Sequence, residues 1–114
     1  MALENSVLLL VTSSPASPGS ARALQLAGDL RRKGDAISLF LLQDAVYLTL
    51  TRAHGARKAV SDLLGLGVAI HILEEDLRLR GFDPVQLDRR VQVSGYPELV
   101  AEMMEKHARV MGAF

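Results

Sequence analysis

The sequence contains no cysteine and no tryptophan, and these two absences exclude several classes of protein. Without a thiol, the 114 residues can form no disulfide, no thiolate metal site and no catalytic or sulfur-carrying cysteine. Because aromatic residues make up only 4% of the chain, stacking surfaces of the kind that bind single-stranded RNA are scarce. We therefore expect no direct binding of nucleic acid by this chain.

Net charge and long apolar segments are absent as well. Thirteen basic and thirteen acidic side chains give a formal charge of zero, so no overall field attracts nucleic acid or anionic lipid. The longest apolar run, Val7–Val11, is far too short to cross a bilayer, and the acidic start Met1–Asn5 is unlike a secretory signal. We therefore expect no membrane association. The lack of cysteine is compatible with a reducing, cytoplasmic setting.

The composition that remains is that of one globular domain over residues 1–114. Hydrophobic residues make up 49% of the chain and charged residues 23%, which excludes extensive disorder. Twenty leucines are many for so small a domain, so part of the apolar surface could be buried between subunits. Candidate interface anchors are Tyr47, Phe82, Tyr96 and Phe114, although the same side chains could instead complete the core of the monomer.

Strand and helix signals alternate along the chain. Three apolar runs are typical of buried strands, and they occupy Val7–Thr12, Ala36–Leu42 and Val68–Leu73. A fourth, shorter strand signal occupies Val91–Val93. Helical signals, capped or ended by Ser, Pro and Gly residues, predict five helices. One begins near Ser17-Pro18, two cover 45–53 and Ala56–Leu64, and two more begin near Glu74 and Pro97. In the last of these helices, we expect Leu99, Val100, Met103 (or Met104), His107 and Val110 (or Met111) to line one packed face. The alternation predicts an α/β fold, a three-layer α/β/α sandwich around a mainly parallel sheet of about four to five strands.

The loop after the first strand is rich in hydroxyl groups. Its candidate anion-binding residues, which lie where a parallel sheet usually binds ligands, are Ser13, Ser14, Ser17, Gly19 and Ser20. The segment matches neither a phosphate-binding P-loop nor a dinucleotide fingerprint, and helix capping explains most of its residues. A small-ligand domain that binds flavin or a nucleotide phosphate through the Ser13–Ser20 loop is therefore the alternative function.

Two further polar segments follow the second and third strands. Asp44 could bind a ligand or cap the next helix, and the acids Glu74, Glu75 and Asp76 could act in acid–base chemistry or simply favour a helix start. Asp76 and Arg80 have the spacing of an ion pair on one helix face. The spacing of His54, His71 and His107 matches no metal motif, so we expect no metal site, no cofactor and no catalytic residue.

Two of these segments resemble the DsrH/TusB family, the small subunits of bacterial sulfur-relay complexes. Leu39–Val46 is similar to a family strand that ends in Leu-Gln-Asp-Gly-Val, and Glu75–Gly81 is similar to a motif ending in Arg-Gly. A final helix led by Tyr96 completes the likeness from about residue 36 onward. The family-motif residues, which are candidates for an interface or a pocket, are Gln43, Asp44, Glu75, Asp76, Arg80, Gly81 and Tyr96.

The resemblance implies a DsrE/DsrF/DsrH-type domain in a sulfur relay, serving tRNA wobble-uridine thiolation or sulfur oxidation. In this superfamily the sulfur-bearing cysteine belongs mainly to DsrE/TusD-type chains, and some DsrH members carry one where this chain has Ser13 and Ser14. A family member without a thiol would be a non-catalytic structural or docking subunit. Its expected partners are identical chains, or DsrE- and DsrF-like (TusD- and TusC-like) chains, in a cytoplasmic oligomer.

Overall fold

The structure is a computed structural model that describes residues 6–50, 55–112 and 114. Its strands are β1 (Ser6–Val11), β2 (Ala36–Leu41), β3 (Ala69–Leu73), β4 (Gln92–Ser94) and β5 (Arg109–Met111). Its α-helices are α1 (Pro18–Lys33), α2 (Ala56–Gly65), α3 (Glu74–Leu79) and α4 (Tyr96–Met104), with 3₁₀ helices at Gln43–Thr49 and Pro84–Gln86. Among the described helices, none is long and apolar enough to span a membrane.

The five strands form one sheet in the order β4-β3-β2-β1-β5, and every neighbouring pair is parallel. Each run of apolar residues at the centre of this sheet is covered on both faces, as parallel strands joined by helical crossovers require. The structure therefore confirms the predicted α/β fold and parallel sheet. It also brings the loops that follow β1, β2 and β3 to one edge of the sheet.

The two faces of the sheet differ in what covers them. On one face, which we call the main face, Leu9, Leu39 and Ile70 belong to a large apolar cluster that also includes residues of α1 and α2. On the opposite face, the α4 face, the buried apolar cluster is only Leu8, Phe40 and Leu73, with partly buried neighbours that include Leu99 of α4. The apolar cluster on the α4 face is thus much smaller than the one on the main face.

Local sequence signals explain where the first helix begins and ends. The side chain of Ser17 caps α1, accepting a hydrogen bond from Gly19 N at 3.2 Å, and Pro18 occupies the first turn. Gly34 ends the helix with a φ of 113°, a left-handed conformation that glycine adopts without strain. These observations confirm the predicted start at Ser17-Pro18.

The C-terminal part of the chain corrects the sequence prediction. The last helix ends at Met104, and Arg109–Met111 forms β5 instead of a further helical turn. Parallel pairing with β1 satisfies backbone groups on an otherwise open sheet edge, and this tertiary pairing overrides the helical spacing of the apolar residues. The expected packed face was also wrong in detail, because Val100 is 56% exposed.

Two other predictions depend on the segment after β2. The helix expected over 45–53 is a 3₁₀ helix, Gln43–Thr49, and residues 51–53 lie outside the described part of the chain, as do His54 and Met1–Asn5. Tyr47 packs edge-on against Phe82, with ring centroids 5.7 Å apart, and both rings contact the main-face cluster. Of the four aromatic candidates for an interface, Tyr96 is the exposed one, whereas Phe114 is partly buried against the same cluster.

Candidate functional site

Four of the predicted site residues meet at the carboxyl ends of β2 and β3. The backbone N–H of Gln43 donates to Asp76 Oδ2 at 2.7 Å, and the Arg80 guanidinium donates to Asp44 Oδ1 from Nε at 3.2 Å and from Nη2 at 3.0 Å. Arg80 Nη1 also donates to the backbone oxygen of Asp76 at 3.1 Å. We call these four residues the Gln43–Arg80 cluster. It joins the start of the 3₁₀ helix to both ends of α3.

The cluster accounts for several features of the local backbone. Gln43 has a φ of 51°, which is uncommon for a residue with a side chain, and its bond to Asp76 helps to hold that conformation. Asp44 pairs with Arg80 and does not cap the helix that follows β2. Asp76 and Arg80 lie on one helix face with an ion-pair distance of 3.8 Å, as their spacing predicts. The arrangement supports a positioning role for these motif residues.

The remaining motif residues lie around this cluster without joining it. Gly81 follows α3 with a φ of 82°, which explains why glycine occupies that position. Glu75 is exposed, and its carboxylate reaches toward Gly95 at the start of α4. Tyr96 opens α4 and is 53% exposed. Four motif residues therefore form the hydrogen-bonded Gln43–Arg80 cluster, whereas Glu75 and Tyr96 are exposed beside it. A role of these residues in binding stays a prediction.

The hydroxyl groups of the Ser13–Ser20 loop bond within the protein. Ser20 Oγ donates to the backbone oxygens of Ser14 at 2.8 Å and Ser17 at 3.0 Å, and Ser13 Oγ donates to the backbone oxygen of Phe114. Gly19 lies directly against the same Phe114 oxygen, where an added Cβ would lie 2.9 Å from it. These contacts favour the capping interpretation of the loop, and anion binding by it stays a prediction.

A second polar cluster, which the sequence analysis did not identify, lies between the sheet and α4. Its centre is Glu102, whose Oε1 lies 3.0 Å from His107 Nε2 and 3.5 Å from His71 Nε2, and whose Oε2 lies 3.2 Å from Lys106 Nζ. His71 Nδ1 is 3.3 Å from Ser94 Oγ on the neighbouring strand. We call these five residues the Glu102 cluster.

The geometry of this cluster fixes how its hydrogen atoms are arranged at neutral pH. An ionised carboxylate only accepts hydrogen bonds, so His107 donates from Nε2, and His71 is oriented to direct its own Nε2–H toward the same oxygen. His71 Nδ1 is then free to accept from the Ser94 hydroxyl. His107 Nδ1 is buried and has no hydrogen-bond partner among the described residues. Both imidazoles thus direct an N–H group toward one carboxylate oxygen.

Only part of this cluster has a signal in the sequence. His71 lies in a predicted strand, which the structure confirms, and its ring stacks on Phe40 at 5.2 Å between centroids. His107 was expected on the last helix, but it lies beyond Met104. Glu102 and Lys106 share the four-residue spacing of an ion pair. Nothing in the spacing of Ser94 or His71 indicates that they meet Glu102, because the sheet alone brings them together.

The described residues include no group of three or more His, Asp or Glu side chains with the arrangement of a metal site. The Glu102 cluster is instead a closed set of hydrogen bonds and charges. Ser94, which lies beside a histidine in this cluster, is itself buried. The arrangement supports structural and positioning roles.

Comparison with known proteins identifies the family. The family model described as "DsrH like protein" matches residues 16–110, which is more than half of the chain. The chain belongs to the DsrH-like family. The match includes α1 as well as the later motifs, and so extends further toward the N-terminus than the resemblance noted from about residue 36. Membership supports the coarser part of the functional prediction, a sulfur-relay-related subunit. No curated protein matches the DsrH-like chain.

Solved structures share the fold of this DsrH-like chain. The ychN protein from E. coli aligns with a TM-score of 0.85 at 20% identity, over 95% of this chain and 98% of that one. A protein of unknown function from Methanobacterium thermoautotrophicum aligns at 0.70 with 23% identity, over 95% and 98%. Another from Bacteroides thetaiotaomicron aligns at 0.79 with 13% identity, over 96% and 95%. At these identities the likeness establishes the fold alone.

Proposed function

We propose that this DsrH-like chain is a non-catalytic docking subunit of a sulfur-relay complex. Membership of the family supports a role in a sulfur relay. Because the 114 residues include no cysteine, this chain has no thiol to carry sulfur itself. Ser13 and Ser14 stand where some relatives carry a cysteine. A serine hydroxyl does not ionise at neutral pH and forms no persulfide. Sulfur must therefore be carried by another chain.

The outward side of α4 is the observation that carries the docking role. Tyr96, Val100 and Met104 follow one another at four-residue spacing, so they occupy one side of the helix. They are 53%, 56% and 77% exposed. We call these three residues the α4 stripe. A short helix that buries Leu99 and Glu102 inward and presents large apolar side chains outward is typical of an element placed between two partners.

The partner we propose for the α4 stripe is a cysteine-bearing DsrE- or DsrF-like chain. The reason is chemical, since a thiol-free subunit can take part in sulfur transfer only while bound to a chain that holds the thiol. The setting would be the reducing cytoplasm, in tRNA thiolation or sulfur oxidation. A complex of identical chains is the outcome to be distinguished from this one.

The test is a reconstituted sulfur transfer. A cysteine-bearing DsrE-like chain from the same genome is loaded with labelled persulfide, and transfer to an acceptor thiol protein is timed with and without this chain. We expect faster transfer when this chain is present, with all label on the partner and none on this chain. The Val100→Glu variant, which places a charge in the α4 stripe, should abolish the acceleration.

A matched control keeps the interpretation specific. Glu105→Gln alters an exposed residue beside the end of α4 and should preserve the acceleration. Transfer that is equally fast without this chain, or covalent label recovered on this chain, would contradict the proposal. An assembly of this chain with itself that excludes the partner would contradict the hetero-oligomer.

A further inference from the structure

We propose that the Glu102 cluster is an acid-sensitive latch. It holds the C-terminal layer, by which we mean α4 and the connection that follows it, on the sheet at neutral pH and releases this layer on acidification. The cluster joins four parts of the chain. His71 belongs to β3, Ser94 to β4 and Glu102 to α4, while Lys106 and His107 belong to the connection between α4 and β5. Opening the cluster therefore removes the polar contacts that attach this layer to β3 and β4, whereas β5 remains paired with β1.

The geometry leaves no favourable place for an additional proton. On His107 it would bind at Nδ1, which is buried without an acceptor. On His71 it would bind at Nδ1 and displace the hydrogen that Ser94 donates. On Glu102 it would cancel the charge that holds Lys106 and both imidazoles. A proton added to His107 thus has no acceptor, one added to His71 reverses its bond with Ser94, and one added to Glu102 removes the shared anion, whereas an opened cluster binds protons in water.

The neighbouring elements bring few other charges to the cluster. Lys106 is the one fixed cation, and Glu102 the one anion, among the charged groups acting on His71. The other neighbours in the described residues are neutral. They are the Ser94 hydroxyl on β4, the Phe40 ring on β2, and Ser6 on β1, whose Oγ accepts a hydrogen bond from Ala108 N at 3.1 Å. Acid sensitivity is therefore assigned to His71 and Glu102.

The direction of each shift agrees with the geometry. Burial lowers the pKa of His71 below 6.5, although the Glu102 carboxylate opposes the shift. Its contribution to stability is complete above pH 6.5 and falls as the pH decreases from 6.5 toward the lowered value. Burial alone would raise the pKa of Glu102, but hydrogen bonds from His107 and Lys106 and the nearby histidine charges hold it below 4.5. That contribution is present above pH 4.5 and is lost below, so both groups destabilise the closed latch in acid.

Release is expected to be local because the α4 face buries so little apolar surface. Its fully buried side chains are Leu8, Phe40 and Leu73, whereas the main face retains the large cluster around Leu9 and Leu39. Removing α4 leaves that cluster intact. Acid should therefore open the C-terminal layer before the strands β1, β2 and β3 lose their pairing.

The test is hydrogen exchange of the protein followed by mass spectrometry at pH 7.5, 6.5 and 5.0, corrected for intrinsic exchange rates. We expect opening of peptides from residues 96–108 to increase at least tenfold between pH 7.5 and 5.0. Peptides from β1, β2 and β3 should change less than twofold. Equal changes in both regions, or no change in either, would overturn the proposal.

Variants assign the effect to the cluster. His71→Gln combined with His107→Gln removes both imidazoles and should reduce the pH-dependent increase to less than threefold between pH 7.5 and 5.0. Glu105→Gln, on an exposed residue nearby, should behave as the wild type. NMR titration of the wild-type His71 ring replaces this comparison if the double variant does not fold. The ring should titrate together with the loss of α4 amide protection, and titration without that loss would contradict the latch.

Discussion

The two faces of the sheet are stabilised in different ways. The main face buries side chains such as Leu9, Leu39 and Ile70 in a large apolar cluster that includes residues of α1 and α2. The α4 face combines three fully buried apolar residues with five polar ones centred on Glu102. An apolar layer loses stability in proportion to the contacts removed. A buried polar cluster depends on every partner being present, because each group left alone is poorly solvated.

This difference teaches where the molecule can change without unfolding. The main face is a continuous apolar core, so we expect it to keep its structure when the pH changes. The α4 face is attached by hydrogen bonds and charges that depend on pH, and its outer side carries the α4 stripe proposed for docking. The attachment and the docking surface belong to the same nine-residue helix.

The largest effect is expected on the main face. Leu39 is fully buried, and Leu39→Ala removes its isopropyl group from the centre of the core. We expect a loss of about 2–5 kcal/mol in the free energy of unfolding, measured by urea denaturation. Val85→Ala, at a side chain that is 84% exposed, should change it by less than about 0.5 kcal/mol. A small effect of Leu39→Ala would contradict the assignment of the core to the main face.

A smaller and more local effect is expected on the α4 face. Glu102 is 6% exposed, and Glu102→Ala leaves the N–H groups of His71 and His107 without their acceptor. We expect a loss of about 1–3 kcal/mol, concentrated in the exchange protection of α4. Glu105→Ala is the matched control and should leave that protection within about 0.5 kcal/mol of the wild type. Loss of protection spread evenly over all strands would contradict the division between the faces.

The smallest effect is expected at the Gln43–Arg80 cluster, which is polar but less enclosed than the Glu102 cluster. The Arg80 side chain is 21% exposed, so solvent screens part of its attraction to Asp44 and Asp76. We expect Arg80→Ala to reduce the free energy of unfolding by about 1 kcal/mol, as measured by thermal denaturation. Arg78→Ala removes a more exposed pair with Glu74 and should cost less than about 0.5 kcal/mol. Equal effects would mean that Arg80 contributes only as a surface charge.

Most of the fold could be predicted from the sequence because its strands are continuous apolar runs. Val7–Thr12, Ala36–Leu42 and Val68–Leu73 each agree with an observed strand to within one residue at either end. The fifth strand could not be predicted, since Arg109–Met111 has no buried residue and pairs only because β1 has an open edge. Its helical spacing was misleading, as the edge pairing decides its conformation.

The two polar clusters also differ in whether the sequence predicts them. Gln43, Asp44, Asp76 and Arg80 could be selected in advance, because they follow strands at the edge where parallel strands end and belong to family motifs. The Glu102 cluster could not, since His71 and Ser94 lie 23 residues apart and meet only through the register of β3 with β4. Burial of a carboxylate beside two imidazoles is a tertiary property without a local sequence pattern.

The measurement that tests the docking account most directly is native mass spectrometry of this chain coexpressed with its DsrE- and DsrF-like relatives. We predict a stable complex that contains both kinds of chain, and its loss in Val100→Glu with the melting temperature of the isolated chain unchanged. Glu105→Gln should leave the complex intact. A chain that remains monomeric beside every relative, or a complex that tolerates Val100→Glu, would contradict the account.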